Sequence, residues 1–356
     1  MRPTLDRAKL LALAGQHDEA EALLRELPPS NRRDFNLGWH LCRRGHWRAG
    51  LDLMAAGRAE GVFGSPPLKG RRLWEYEDLR GKTVLLHGEG GLGDQLCNVR
   101  WARDLADLGA RVIATGHGSL LPILAAAPGV SLAHALGNPA PLDFDYWLPA
   151  MNGPSYFEVR GEPYLSSGFR VPSSEARFRV GLRWAGLPEF EHDQLRRFPT
   201  EPFFEELFKF RKLVDFVSLQ RDVATEETPE GLPAADTSTW EATAHEIAGL
   251  DLVISSCTSV AHLAAGLGVP TWILVPRCPY YPWAVPGERS AWYSSVRLFR
   301  QRLDGSWPFE ELRKALSEVL ERGHPRQPTE LERLRGINAG LEDLLKKQEE
   351  RLGIVT

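Results

Sequence analysis

One stretch of the sequence decides the fold class: DLVISSCTSVAHLAAGLGVPTW, residues Asp251–Trp272. It begins with a short apolar run typical of a buried strand, Leu252–Ser255, and continues through hydroxyl residues into a helix-like segment, Val260–Leu267. A second apolar run, Thr271–Val275, follows. A strand, a helix and a strand in this order form a parallel unit, with the helix as the crossover. The stretch therefore indicates an α/β protein.

The same alternation extends on both sides of this stretch. In the second half of the chain, strand-like runs and helix-like segments occur at Arg179–Trp184, Phe203–Lys212, Val214–Leu219, Trp240–Gly249, Arg297–Arg300 and Phe309–Arg322. In the first half they occur at Lys82–His87, Gln95–Leu108, Arg111–Thr115, Leu120–Ala127 and Asp145–Pro149. The polar stretch Pro163–Ala176 separates the two series. Two such series predict two Rossmann-like domains, each built on a parallel sheet.

The N-terminal part of the chain repeats a helical pattern instead. Leu11–His17 (LALAGQH) matches Leu41–Trp47 (LCRRGHW) at an offset of 30 residues. Gly15 and Gly45 allow a tight turn between two helices in each copy. The pattern resembles degenerate tetratricopeptide repeats. Such a segment either binds a partner or is an ordinary helical extension that packs on the next domain.

The predicted domain boundaries follow from these patterns. We expect a helical segment at 1–60, a first Rossmann-like domain at 61–170, a second at 171–328, and a C-terminal helix at 329–356.

Composition excludes several classes of protein. The 356 residues are 43% hydrophobic and 25% charged, which is ordinary for a globular chain with sizeable cores. The formal net charge of −4 argues against a nucleic-acid partner. The four cysteines have no metal-ligand spacing, the acidic N-terminus is unlike a signal peptide, and no apolar run reaches transmembrane length. We therefore expect a cytoplasmic protein with reduced thiols and no transmembrane segment.

A glycine loop follows the first strand: HGEGGLGD, His87–Asp94. It satisfies the dinucleotide fingerprint G-x-G-x-x-G, but the next strand ends in Thr115-Gly116 without the acid that holds a ribose. An NAD-dependent oxidoreductase is therefore disfavoured. Asp94 stands at the start of the following helix, where it is either a helix cap or a carboxylate kept ionised to accept a proton.

Further candidate residues lie where strands of the second half end. Thr258 and Ser259 begin a helix and could bind an anion, with His262 one turn further on; they are equally typical of ordinary caps. Arg196 and Arg197 could neutralise a diphosphate or form a solvated charged pair. Two more strand-end positions, Trp184 and Gln220, complete the candidates in this half of the chain.

Metal chemistry has little support in the sequence. Asp143-Phe144-Asp145 is a D-x-D motif, but it lacks further ligands and leads into a strand. The histidines have no zinc-site spacing, and there is no P-loop lysine. We expect no metal and no cofactor.

In combination, these segments resemble bacterial tetratricopeptide-repeat glycosyltransferases related to the lipopolysaccharide heptosyltransferases, which have the GT-B fold. The residues that carry the resemblance are GEGGLGDQL (Gly88–Leu96), VGLRWAG (Val180–Gly186), SLQ (Ser218–Gln220), Asp251–Trp272 and WYSSVRLFRQ (Trp292–Gln301). The chain departs from the family at Cys257-Thr258, where the family often has Asp-Thr.

The resemblance implies a nucleotide-sugar donor held mainly by the second Rossmann-like domain, with the reaction in the cleft. It implies that Asp94 is the general base, and that Thr258, Ser259 and His262 meet the donor diphosphate and ribose. Arg196 or Arg197 matches a basic residue near the leaving phosphate. The implied donor site also includes Gly91 and Gly93. Tyr280, with Tyr281 and Trp283, either lines the site of the donor's nucleobase or sugar or packs in the core.

The resulting hypothesis is a metal-independent, inverting glycosyltransferase. Its co-substrate would be a nucleoside-diphosphate sugar, and the N-terminal repeats could present a protein or glycan acceptor. Two alternatives remain: a non-catalytic adaptor or binding protein, and a nucleotide-sugar epimerase, which would need more acid and base residues in the cleft.

Overall fold

The computed structural model describes residues 4–58, 60–64, 68, 70–137, 142–165, 177–187, 193–221 and 228–322. The helix expected at 329–356 lies outside these ranges. So do residues 166–176, most of the stretch expected to separate the two domains. In the described residues, an all-helical segment precedes two parallel sheets. The α/β fold class with two Rossmann-like sheets is thus confirmed.

Four helices and a short 3-10 turn form the N-terminal segment: α1 (Leu5–Leu13), α2 (His17–Glu26), α3 (Asn31–Arg43), α4 (Trp47–Met54) and the turn Ala55–Arg58. Gly15 and Gly45 link the helices of each hairpin with φ of +84° and +83°, which L side chains adopt at a cost. α3 and α4 approach closely because Gly38 has no side chain: a Cβ there would lie 2.3 Å from the Gly50 carbonyl oxygen. Two helical hairpins follow the sequence repeat; their identity as tetratricopeptide repeats stays a prediction.

The first sheet has the strand order β3-β2-β1-β4, and every pairing is parallel. Its strands are β1 (Thr83–His87), β2 (Arg111–Gly116), β3 (Val130–Ala135) and β4 (Tyr146–Pro149), and its helices are α5 (Leu92–Asn98), α6 (Trp101–Asp107), α7 (Leu121–Ala125) and α8 (Gly153–Tyr156). Two expectations were wrong. The single helix predicted at Gln95–Leu108 is broken into α5 and α6, and the edge strand β3 was not predicted, because its partly exposed residues lack a clear apolar run.

The second sheet has the order β6-β5-β7-β8-β9 and is also parallel throughout. Its strands are β5 (Phe178–Arg183), β6 (Val214–Ser218), β7 (Leu252–Ser256), β8 (Thr271–Val275) and β9 (Val296–Arg300). Its helices are α9 (Asp193–Arg196), α10 (Thr200–Phe208), α11 (Trp240–Ala248) and α12 (Ser259–Gly266); a further helix, α13 (Phe309–Glu321), follows β9 along the chain. β7 and β8 are buried at every position, as strands covered on both faces must be.

Each sheet has one point at which the strand order reverses. It lies between β1 and β4 in the first sheet and between β5 and β7 in the second. Open α/β sheets bind ligands beyond the carboxyl ends of strands at such points. The helical segment and both sheets belong to one compact unit, Met1–Arg313, so the predicted boundaries between them stay predictions. Within the described part of the chain, every helix is too short or too polar to cross a bilayer.

Candidate functional site

Two helix N-termini, one from each sheet, meet at the centre of the candidate site. α5 follows β1 through the glycine loop, and α12 follows β7. A Cβ added to Gly93 would lie 3.1 Å from His262 Cδ2 and 3.4 Å from Ser259 Cα, so the two helix ends are in contact. The predicted residues of the first half and of the helix α12 are therefore neighbours. Positive ends of two helix dipoles point at the same place, which favours negative charge there.

Asp94 lies at this meeting point as the third residue of α5. Its Oδ2 accepts a hydrogen bond of 2.8 Å from the backbone N–H of Gly91, the residue that caps the helix. Its Oδ1 accepts a hydrogen bond from the hydroxyl of Tyr280. The carboxylate thus accepts a hydrogen bond from the N-cap amide of α5 and also joins the glycine loop to the second half of the chain. Because a carboxylate has about four lone-pair positions, these bonds leave room for a further donor.

The surroundings of Asp94 raise its pKa. Burial raises it, the hydrogen bonds from Tyr280 and Gly91 lower it, and the nearby charge of Glu89 raises it; the pKa lies above the ordinary value. Burial also raises the pKa of Tyr280 well above its usual range, so this hydroxyl stays a donor. A carboxylate with a raised pKa is a stronger proton acceptor than an exposed one. Asp94 is therefore equipped to act as a base.

The N-terminus of α12 lacks the side-chain cap that its sequence predicts. Thr258 is the N-cap residue, but its hydroxyl accepts no bond from the helix amides. Its Oγ1 lies instead 3.2 Å from the Oγ of Ser255. At the end of β7, the Oγ of Ser256 is buried and has no hydrogen-bond partner among the residues that the structure describes. A helix end with hydroxyls but without its own side-chain cap suits an anionic ligand.

His262 is a buried, neutral histidine. Its ring stacks on Trp283 with centroids 4.9 Å apart, and its Nδ1 lies 2.8 Å from the hydroxyl of Tyr293. Burial, with smaller contributions from nearby arginines, lowers its pKa to about 3. Tyr281 and Trp283 are completely buried as well. Of the three aromatic residues considered at 280–283, Tyr280 is the one in contact with Asp94, while the other two pack in the core.

Arg196 and Arg197 lie beside the reversal point of the second sheet. Arg196 donates to the carbonyl oxygen of Cys257 at 3.0 Å, which places its guanidinium against the turn after β7. Both arginines pair with the buried carboxylate of Asp193, at 2.9 Å and 3.3 Å. Asp193 also accepts from the N–H of Gly186. The sequence reasoning missed Asp193, although its spacing of three and four residues from the arginines is a visible signal.

Trp184 and Gln220 lie behind this turn. The Trp184 ring is fully buried and packs edge-on against Phe204, with centroids 5.1 Å apart. The Gln220 side chain accepts from the N–H groups of Trp184 and Ala185 and donates to the Ala185 carbonyl at 2.9 Å. These two residues thus fix the loop after β5. Among the described residues, no group of three or more His, Cys, Asp or Glu is placed to hold a metal ion.

Neither a protein-family model nor a curated protein matches the sequence. Solved structures give a distant likeness. The chain is similar to the ADP-heptose lipopolysaccharide heptosyltransferase II of E. coli, with 14% identity, a TM-score of 0.45, and coverage of 67% of this chain and 99% of that one. It is also similar to TibC, an iron-containing dodecameric glycosyltransferase of enterotoxigenic E. coli H10407, with 13% identity, a TM-score of 0.49, and coverage of 65% and 66%.

A third similar structure is the family 9 glycosyl transferase of Veillonella parvula DSM 2008, with 12% identity, a TM-score of 0.47, and coverage of 68% of this chain and 91% of that one.

Proposed function

We propose that the chain is a metal-independent glycosyltransferase of GT-B architecture that transfers a sugar from a nucleoside-diphosphate sugar to an acceptor hydroxyl with inversion. One observation carries the proposal: the carboxylate of Asp94, with its raised pKa, lies where the N-termini of α5 and α12 meet. A base and an anion-binding helix end from two parallel sheets are the two components that such a transfer needs. The resemblance of the motifs to heptosyltransferase-related enzymes supports the same reaction.

In the proposed reaction, Asp94 removes the proton of the acceptor hydroxyl. The acceptor oxygen forms a bond to the anomeric carbon as the bond from that carbon to the β-phosphate oxygen breaks. The electron pair leaves with the nucleoside diphosphate, and the proton stays on the Asp94 carboxyl. Attack from the face opposite the leaving group inverts the anomeric configuration.

The departing diphosphate would be stabilised by the second half of the chain. The end of α12 offers the hydroxyls of Thr258 and Ser259 together with the helix dipole. Arg196 adds a positive charge next to Cys257, one residue before the helix cap. The buried Asp193 keeps the guanidinium groups of Arg196 and Arg197 in a fixed orientation rather than free in solvent. Preorganised charge of this kind costs no reorganisation when the leaving group departs.

The first experiment is a binding screen. Purified protein is heated with ADP, UDP, GDP and CMP sugars, and the shift in melting temperature is recorded. A donor at a hundred times its Kd should stabilise the fold by about 2.7 kcal/mol. If no nucleotide sugar raises the melting temperature, the adaptor interpretation replaces the enzyme.

The second experiment tests the base. Asp94→Asn keeps the shape of the side chain but removes the proton acceptor, so transfer to the acceptor should fall by about 10²–10⁴-fold. Asp107→Asn, on the exposed face of α6, is the matched control and should keep wild-type transfer. Full transfer by Asp94→Asn would show that another group is the base.

A further inference from the structure

A buried ion pair joins the helical segment to the glycine loop. Arg58 ends the 3-10 turn after α4, and its side chain is 9% exposed; Glu89 lies in the loop after β1, and its side chain is 0% exposed. Nη2 of Arg58 donates to both carboxylate oxygens of Glu89 at 2.9 Å and 3.0 Å. Nε adds a third bond of 3.2 Å. The two residues are 31 positions apart, so nothing local requires the pair.

Further contacts hold the pair at the reversal point of the first sheet. Arg58 Nη1 donates to Asn152 Oδ1 at 3.0 Å, and the N–H of Met151 donates to Glu89 Oε2 at 3.3 Å; both partners follow β4. Gly64, at a φ of +67°, covers the pair so closely that a Cβ there would lie 2.6 Å from Glu89 Oε1. The pair is therefore enclosed by backbone and fixed in one arrangement.

Stability alone is a poor explanation for such a pair. Removing two charges from water costs about as much free energy as their attraction returns. Apolar residues of similar volume at the same positions often stabilise a fold equally well. What a bidentate, enclosed pair does provide is a defined position. Glu89 is two residues before Gly91, whose N–H orients the Asp94 carboxylate. Fixing Glu89 thus fixes the loop that places Asp94.

We propose that Arg58 and Glu89 are a positioning pair through which the helical segment holds the glycine loop, and with it Asp94, in the reactive geometry. The inference rests on the proposed function. It makes the helical segment part of the active site's framework, beyond any role in presenting an acceptor. Arg58 and Glu89 touch no reacting atom in this scheme and act through the loop backbone.

The first test does not depend on activity. Hydrogen exchange of the Gly91 amide is measured by NMR in the full chain, in Arg58→Ala, in Arg58→Lys, and in Arg44→Ala as the control. Arg44 also pairs with a largely buried acid, Glu21, but inside the helical segment. Exchange at Gly91 should accelerate at least about tenfold in Arg58→Ala, less in Arg58→Lys, and not in Arg44→Ala. Wild-type exchange in Arg58→Ala would overturn the proposal.

The second test uses kinetics. ADP-glucose, UDP-glucose and GDP-mannose are each supplied with water as acceptor, and release of the nucleoside diphosphate is followed. Arg58→Ala should lower kcat by about 10²-fold with little change in donor KM, since a misplacement of about 1 Å at the base costs that much. Guanidinium chloride at millimolar concentration should restore part of the rate to Arg58→Ala and none to Asp94→Asn. A rise in KM at unchanged kcat would refute a role through Asp94.

The third test uses pH. The charged or titratable groups that sense the Glu89 charge include Arg58, His87 and Asp94. Glu89→Gln removes a negative charge next to the base, so the acidic limb of the kcat profile should move to lower pH. An unchanged limb would contradict the proposal. If no nucleotide sugar raises the melting temperature of the wild-type protein, the proposed function fails, whereas the Gly91 exchange rates still decide whether the pair holds the loop.

Discussion

Tyr280→Phe removes one hydroxyl and leaves the rest of the surroundings of Asp94, the proposed base, in place. The hydroxyl donates to Asp94 Oδ1, and this bond lowers the pKa of Asp94. The ring, which packs against Tyr281 with centroids 4.3 Å apart, is unchanged by the substitution. Burial and the charge of Glu89, which both raise the pKa, remain. The pKa of Asp94 should therefore rise in the variant.

The size of the change follows from the bond that is lost. A hydrogen bond to a charged group contributes about 1.5–3 kcal/mol. Asp94 is partly exposed, so water replaces some of the lost bond and the lower end applies. Since one pKa unit corresponds to about 1.4 kcal/mol, the pKa of Asp94 should rise by about one unit. Because the base must be ionised to accept a proton, activity appears as pH rises through this pKa. The acidic limb of the pH–rate profile should therefore move to higher pH by about one unit.

The assay is release of nucleoside diphosphate between pH 4 and 9, with Tyr281→Phe as the control. Tyr281 is the neighbouring buried tyrosine, and its hydroxyl meets Asn98 at 3.4 Å instead of Asp94. We expect Tyr280→Phe to reach the wild-type rate above its shifted limb, and Tyr281→Phe to keep the wild-type limb. Two results would refute the reasoning: an acidic limb that does not move, or a loss of rate at high pH as large as that of Asp94→Asn.

Three other predictions concern the same contact region. Gly93→Ala places a Cβ 3.1 Å from His262, which Trp283 and Tyr293 hold in place, so α5 should shift and kcat should fall by about tenfold in the same release assay. Because the pKa of His262 is lowered to about 3, its ring signals in NMR should not titrate between pH 5 and 8; a midpoint near 6.5 would mean that the ring is exposed. Asp193→Asn should loosen Arg196 and Arg197 and raise the donor KM more than it lowers kcat, as steady-state kinetics would show; an unchanged KM would remove the arginines from the donor site.

The elements that form from local patterns were predictable from the sequence. The buried strands Leu252–Ser256 and Thr271–Val275 are rich in apolar residues and flank a helix-like segment, so their positions and their parallel direction could be predicted from the sequence. The glycine loop and the hydroxyl turn were also predictable, because both stand directly after such strands. The strand order of each sheet reverses beside one of these loops, which is where open α/β sheets bind ligands.

The chemical state of each candidate depends on contacts that local patterns do not contain. The break between α5 and α6 coincides with Arg100, whose buried guanidinium donates to the carbonyls of Cys97 and Trp292, the latter 192 positions away. Asp94 could be predicted as a candidate base from the sequence. Its raised pKa, however, results first from burial by the folded chain; the hydrogen bond from Tyr280, 186 positions away, lowers the pKa, and the charge of Glu89, held by Arg58, raises it. A carboxylate's reactivity belongs to its folded surroundings, so the same residue at a helix start is a cap or a base according to what the rest of the chain places around it.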